Sequence, residues 1–141
     1  ARSGTLWDGR FRASVLEPGP TCLACLCLVE TLPQRLGHVE AASVWRWSSL
    51  LQHLGQASGT GMADPPEFWA LGNTPFEREM AWRARIEAGM GEDEAQRLLG
   101  PLRSGRPTGS PSFLKSLEDL SERSLTPRPR GRPRSRSTVG G

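Results

Sequence analysis

The pattern of apolar and polar positions near the start of the chain predicts a β-strand. Between residues 10 and 16 the two kinds of side chain alternate: Phe11, Ala13 and Val15 are apolar, and Arg10, Arg12 and Ser14 are polar. Alternation with a period of two is typical of a strand with one buried face, so we expect the outer face to be basic. Without partners, such a strand would be an exposed sheet edge.

A helix is predicted over residues 21–32, with Thr21 as its N-cap and Pro33 ending it. The helix is apolar nearly all round and should therefore be buried. An odd number of cysteines in an apolar run does not make a disulfide framework, and a second pair of zinc ligands is missing. We therefore expect Cys22, Cys25 and Cys27 to be small, buried apolar residues with free thiols, in a protein of a reducing compartment.

Helical patterns continue along the body of the chain. A short helix is predicted over residues 44–54, with Trp45 and Trp47 anchoring its start. After a Gly-, Ser- and Pro-rich loop at 55–67, the strongest start signal of the chain follows. It combines Thr74 as N-cap, a proline at the first helical position and a capping-box glutamate.

Three further helices should fill residues 74–88, 92–100 and 110–120. The second begins with acids that suit the positive end of a helix dipole, and Gly100–Pro101 should end it. We expect a small core between the 21–32 helix, the tryptophan pair and the helices after residue 74. The side chains expected to face it from the 74–88 helix are Phe76, Met80 and Ile86, with Trp82 at the border.

Charge is unevenly distributed along the chain. Residues 1–125 hold 13 basic and all 15 acidic residues, a net charge of −2, whereas residues 126–141 hold five arginines and no acid. A GC-rich codon bias would raise the arginine content everywhere, but it would not remove the acids from the tail. A basic tail on a near-neutral body is typical of a nucleic-acid-binding arm.

Residues 129–133 of this tail resemble the core of an AT-hook. Gly131 lets the backbone lie on the floor of a narrow groove, where Arg130 and Arg132 run in opposite directions. The prolines keep the chain extended, and a narrow A·T minor groove attracts inserted arginines. A solvated tail without a fixed partner is the alternative, and the A·T preference itself stays open. Flanking arginines that can meet phosphates are Arg128, Arg134 and Arg136.

Groups for catalysis are scarce. The chain has no tyrosine, and His38 and His53 have no carboxylate or serine partner at motif spacing, so we expect both at a surface or an interface. With 23% charged residues and no apolar run of roughly 18–20 residues, the sequence also does not predict a transmembrane helix.

Four stretches of the sequence occur in a characteristic order. They read GTLWDGRFRASVL at 4–16, VWRWSSLLQHLG at 44–55, FWALGNTPFERE at 68–79 and GRPTGSPSFLKSLEDL at 105–120, before the basic tail. This order resembles the C-terminal part of the REP-associated tyrosine transposases, and the resemblance covers nearly the whole chain.

The resemblance implies a ferredoxin-like sheet domain with a His-hydrophobic-His metal motif and a helix that carries a nucleophilic tyrosine. In that family the tyrosine attacks DNA phosphate and a divalent cation polarises the phosphate. The substrate is single-stranded DNA beside a palindromic hairpin. For this chain we expect an α+β remnant that is mainly α, with residual strands of the transposase domain at 1–55, a helical extension at 56–125 and a disordered Arg/Pro tail at 126–141.

The match to the family is partial. Leu28 stands where the nucleophilic tyrosine should be, Leu32 where an asparagine should be, and the segment with the metal histidines is absent. We therefore expect no catalytic residue, no metal site and no cofactor in this chain. The residues that match the strand motif are Gly4, Thr5, Leu6, Trp7, Gly9, Arg10, Arg12 and Ala13, and those that match the tyrosine helix are Glu30, Pro33, Arg35 and Gly37.

These observations predict a truncated, transposase-like protein of the cytoplasm and nucleoid that binds single-stranded or hairpin DNA without cleaving it. Arg10 and Arg12 would line a path for the single strand, although an ordinary polar strand face gives the same pattern. Because the sequence opens at Ala1 within a motif, we interpret it as a piece of a longer protein. Two alternatives stay open: a subunit of an active oligomeric transposase, such as a homodimer, and a translated relic without function.

Overall fold

The computed structural model describes residues 13–58, 61–122 and 124–125. Within these ranges the chain forms a short 3-10 turn at Ala42–Val44 and six α-helices. The helices are α1 (Pro20–Arg35), α2 (Leu50–His53), α3 (Pro66–Trp69), α4 (Pro75–Ala88), α5 (Glu92–Ser104) and α6 (Pro111–Ser121).

The predicted α+β remnant with residual ferredoxin-like strands is wrong, because the described part of the chain contains helices and no strand. Residues 13–16 of the predicted strand form only an isolated parallel pairing of Leu16 with Thr108. Two 2.9 Å backbone hydrogen bonds hold it, from Glu17 to Thr108 and from Thr108 to Val15. The chain then turns at once into α1, which leaves no length for a ladder. The predicted tail at 126–141 lies outside the described residues, and the division at residue 55 stays a prediction.

Helix α1 is longer at both ends than the sequence predicts. Gly19, with a φ of 89°, is its N-cap in place of Thr21, and the Gly19 N–H donates to Glu67 Oε1 at 3.1 Å. Pro33 does not end the helix, which continues to Arg35. Because Pro33 lies in the last turn, its missing N–H removes only one hydrogen bond of the helix.

The predicted helix over residues 44–54 is also wrong, since only the four residues of α2 are α-helical there. Ser48 provides the physical reason. Its hydroxyl donates to the carbonyl of Trp45 at 3.5 Å and accepts from the N–H of Leu50 at 3.3 Å. Such local bonds give the backbone an alternative to a helix. The connecting segment consequently leaves Trp47 72% exposed, so the tryptophan pair is not part of the core.

Helix α4 begins as predicted, but it presents a different face to the core. The capping box between Thr74 and Glu77 is present. Trp82, predicted at the border, is fully buried, whereas Phe76 is 69% exposed and Met80 is half exposed. Trp82 turns inward because its indole N–H donates to the buried carboxylate of Glu30 on α1.

The last two helices, α5 and α6, form the C-terminal part of the described chain. Helix α5 passes through Pro101 and ends at Ser104, with Gly105 as its C-cap at a φ of 68°, so the predicted end at Gly100–Pro101 is wrong. Helix α6 begins close to the predicted position, and its N-cap is Ser110, whose hydroxyl accepts from the N–H of Phe113 at 3.2 Å. The Glu17 carboxylate accepts from both the N–H and the hydroxyl of Ser110, at 2.6 and 2.7 Å. This contact joins the N-terminal segment to the start of α6.

The apolar core has two parts that meet at α1. One joins α1 to α5 through Ala24, Leu28, Ala95 and Leu98. The prediction of buried cysteines is confirmed for Cys25 and Cys27, while Cys22 is half-buried, and burial raises the pKa of all three thiols. The other part of the core consists of Cys27, Ala42, Leu50, Leu54, Phe68 and Trp82.

Nowhere in the described ranges is a helix both long enough and apolar enough to cross a bilayer.

The two threonines that the sequence predicts as N-caps provide a matched test of which of them caps a helix. Thr74→Ala removes the hydroxyl that accepts from the N–H of Glu77 and should lower the free energy of unfolding by about 1 kcal/mol. Thr21→Ala lies inside α1, where Gly19 is the cap, and should change stability much less. Urea denaturation followed by circular dichroism measures both, and equal losses would contradict the assignment of the caps.

Candidate functional site

Leu28 is the one predicted site residue that the structure describes. Its side chain is 1% exposed and packs with Ala95 and Leu98 of α5. The position that the resemblance assigns to the nucleophile is therefore filled by hydrocarbon and faces the interior. The predicted DNA-binding residues lie outside the described residues and stay predictions: Arg10, Arg12, Arg128, Arg130, Gly131, Arg132 and Arg134.

A buried carboxylate lies two residues further along α1. Glu30 is fully buried, and both of its carboxylate oxygens have hydrogen-bond partners. Oε2 accepts from the indole Nε1 of Trp82 on α4 at 2.8 Å. Oε1 accepts from the hydroxyl of Ser49 and lies 2.5 Å from Nδ1 of His53 on α2. One carboxylate thus joins α1, the start of α2 and α4.

His53 lies between two carboxylates. Its Nδ1 faces Glu30, and its Nε2 lies 3.2 Å from Oδ1 of Asp64. The ring packs against Phe68, with centroids 4.3 Å apart, and edge-on to Trp82 at 5.9 Å. Because both nitrogens face carboxylate oxygens, this arrangement favours the imidazolium, in which both nitrogens carry hydrogen.

The charge state of His53 follows from a balance of opposed effects. Burial is the largest and lowers the pKa of His53, but the hydrogen bonds and negative charges of Glu30 and Asp64 together outweigh it. The net result is a pKa raised above its usual value. The ring is therefore charged over a wider pH range than a free histidine.

Serine, histidine and a carboxylate in contact suggest a nucleophilic site, but the hydrogen bonds run the wrong way. An activated serine donates to a neutral histidine nitrogen. Here the Ser49 hydroxyl donates to Glu30 instead, and both nitrogens of His53 face carboxylates and not the serine. The Glu30 network is consequently structural, and it fixes the packing of three helices.

The described residues do not fit the divalent cation that the resemblance implies for the intact family. Glu30, His53 and Asp64 satisfy one another. In the part of the chain that the structure describes, no three His, Cys, Asp or Glu side chains converge so as to hold a metal ion.

Sequence reasoning missed this network, and the prediction of a surface or interface position is wrong for His53, which is buried. His38 is exposed, as predicted, and stacks on Trp45. A signal was present, since an acid on a helix that is apolar nearly all round must be paired. Its partners follow 19, 23 and 52 residues later, at spacings that no local motif marks.

Removing the Glu30 charge should destabilise the fold strongly. Glu30→Gln leaves the His53 imidazolium with one carboxylate and places an amide against three donors, so we expect a loss of about 3–5 kcal/mol in the free energy of unfolding. Glu87→Gln, on the exposed side of α4, is the matched control and should be nearly neutral. Urea denaturation checks the pair, and equal stabilities would refute the role of Glu30.

Stability should also fall with rising pH through His53. Its folded-state pKa is raised above the unfolded value of about 6.5. The contribution of the charged ring is therefore complete below about pH 6.5 and is lost as the pH rises through the folded-state pKa. The difference in unfolding free energy between the wild type and His53→Gln should therefore shrink as the pH rises above about 6.5. A constant difference across this range would exclude the titration of His53 as the cause.

Comparisons with known proteins add no assignment to this geometry. No family model, curated protein or solved structure matches the chain.

Proposed function

We propose that this chain is a DNA-binding protein similar to the REP-associated tyrosine transposases, and that it binds DNA without cleaving it. The observation that carries the proposal is the spacing of the tail. From Arg128 to Arg136 every second residue is arginine, and the residues between are proline, glycine and serine. No acid lies between residue 126 and the last residue. Such a segment has the charge for phosphates and little apolar surface to bury.

The proposed binding mode divides the arginines by position. Arg130 and Arg132 flank Gly131, where the absence of a side chain allows the backbone to approach the groove floor. The two guanidinium groups then enter the minor groove, and the outer arginines contact phosphates. The guanidinium fork suits this task because it offers several donors in one plane. A place in the cytoplasm, at the nucleoid, follows from this binding.

The absence of cleavage is supported by the chemistry at Leu28. A hydrocarbon side chain has no oxygen to attack phosphorus, and the chain offers no tyrosine elsewhere. Leu28 also packs between α1 and α5, so a substrate phosphate has no approach to it. Binding through a tail needs neither the nucleophile nor a metal ion.

Binding to duplex and hairpin oligonucleotides should depend steeply on salt. Release of counterions from three to five phosphates predicts a slope of roughly −2 to −5 in a plot of log affinity against log salt concentration. Deleting residues 126–141, or changing Arg130 and Arg132 together to alanine, should weaken the binding. Arg97→Ala, at an exposed position of α5, should not. Fluorescence anisotropy with labelled oligonucleotides measures all four proteins.

Two results would overturn the proposal. A flat salt response, or unchanged binding by the protein that lacks residues 126–141, would remove the tail as the binding element. A covalent protein–DNA adduct on a hairpin substrate, detected on a denaturing gel, would show that the chain cleaves DNA and acts as part of an active transposase.

A further inference from the structure

A groove of about 440 Å³ lies on the surface between α1 and the segment that precedes α2. Its volume is within the range of small-molecule sites. Two serines form part of its wall. The remaining lining residues are Val29 and Pro33 from α1, Trp45, Arg46 and Trp47 from the connecting segment, and Met62.

The groove presents an aromatic face together with a positive charge. Trp47 is largely exposed, and the guanidinium carbon of Arg46 lies 4.4 Å from the centroid of its ring. Trp45 is half-buried at the same site, and the side chains of Val29 and Met62 are half exposed or more. Among the described residues that line the groove, Arg46 is the sole ionisable one. The groove is therefore apolar and cationic.

The buried network holds this surface in place. Ser49, in the wall of the groove, donates its hydroxyl to Glu30. Ser48 bonds to the carbonyl of Trp45 on one side and to the N–H of Leu50 on the other. The segment that displays Trp47 is thus fixed at its C-terminal end to the core, and a ligand that meets a preorganised ring loses less entropy on binding.

We propose that this groove binds unpaired bases of single-stranded DNA, with a base stacked on Trp47 and its phosphate beside Arg46. The inference rests on the proposed function and adds a second contact to that of the tail. Exposed aromatic faces next to arginine are the usual platform for single strands, because every base has a face that can stack. In a duplex those faces are covered by neighbouring bases, so the groove should distinguish unpaired DNA from duplex DNA.

The test compares the wild type with Trp47→Ala on a short labelled thymidine oligonucleotide and on a duplex of the same length. The loss of one stacked base predicts a roughly 5- to 150-fold lower affinity for the single strand, with duplex binding unchanged. Trp47→Phe keeps a ring and should lose less. The wild type should also bind a strand of abasic residues, which keeps the phosphates, about as weakly as Trp47→Ala binds the thymidine strand.

Trp69→Ala is the matched control. Trp69 is 54% exposed and, like Trp47, has a guanidinium over its ring, that of Arg78 at 4.3 Å. It lies at the end of α3 and does not line the groove. Its removal should leave the affinity for the single strand unchanged.

The outcomes separate this inference from the proposed function. If Trp47→Ala binds the single strand as the wild type does while deletion of residues 126–141 weakens binding, the groove is excluded and the tail stands. Equal losses in Trp47→Ala and Trp69→Ala exclude a specific stack. Self-association that Trp47→Ala abolishes, with DNA affinity unchanged, would make the groove a contact between copies of the chain. Failure of the wild type to bind either DNA at low salt overturns both proposals.

Discussion

The carboxylate of Glu30 is the interaction on which the described structure depends. A fully buried ionised carboxylate is tolerated only when its charge and lone pairs are compensated. Here a hydroxyl, an imidazolium and an indole N–H converge on it. These donors come from the start of α2, from α2 itself and from α4. A bond of this kind specifies one arrangement of the helices, whereas apolar contacts alone would accept several.

Two departures from the sequence pattern follow from this constraint. Trp82 must turn inward to reach Glu30, so Phe76 and Met80 on the same helix turn outward. Ser49 must reach Glu30 as well, which holds the segment before α2 against the core. The local hydrogen bonds of Ser48 keep that segment from being helical, and Trp47 consequently extends into solvent.

The features that the sequence predicts correctly depend on residues close together in the chain, and the features that it misses depend on residues far apart. The cap at Thr74 is local, since its side chain bonds three residues ahead, and this prediction is confirmed. The predicted strand failed because a strand needs a partner, and the segment at Thr108 is more than 90 residues away and pairs only once. The same distinction between local and distant contacts applies to the candidate site. The hydrocarbon at Leu28 is evident from sequence, but the partners of Glu30 are set by tertiary packing.

Two arginine–tryptophan pairs in the structure differ in burial, and their roles differ accordingly. Arg78 and Arg46 each lie over a tryptophan, at 4.3 and 4.4 Å. Arg78 is buried and donates to the carbonyl of Gly72 at 3.0 Å, so its charge serves the turn before α4. Arg46 is exposed at the rim of the groove, with its ring partner open to solvent. The exposed pair, and not the buried one, therefore leaves an aromatic surface and a weakly hydrated guanidinium accessible to a ligand, which the proposed stacking of a base on Trp47 requires.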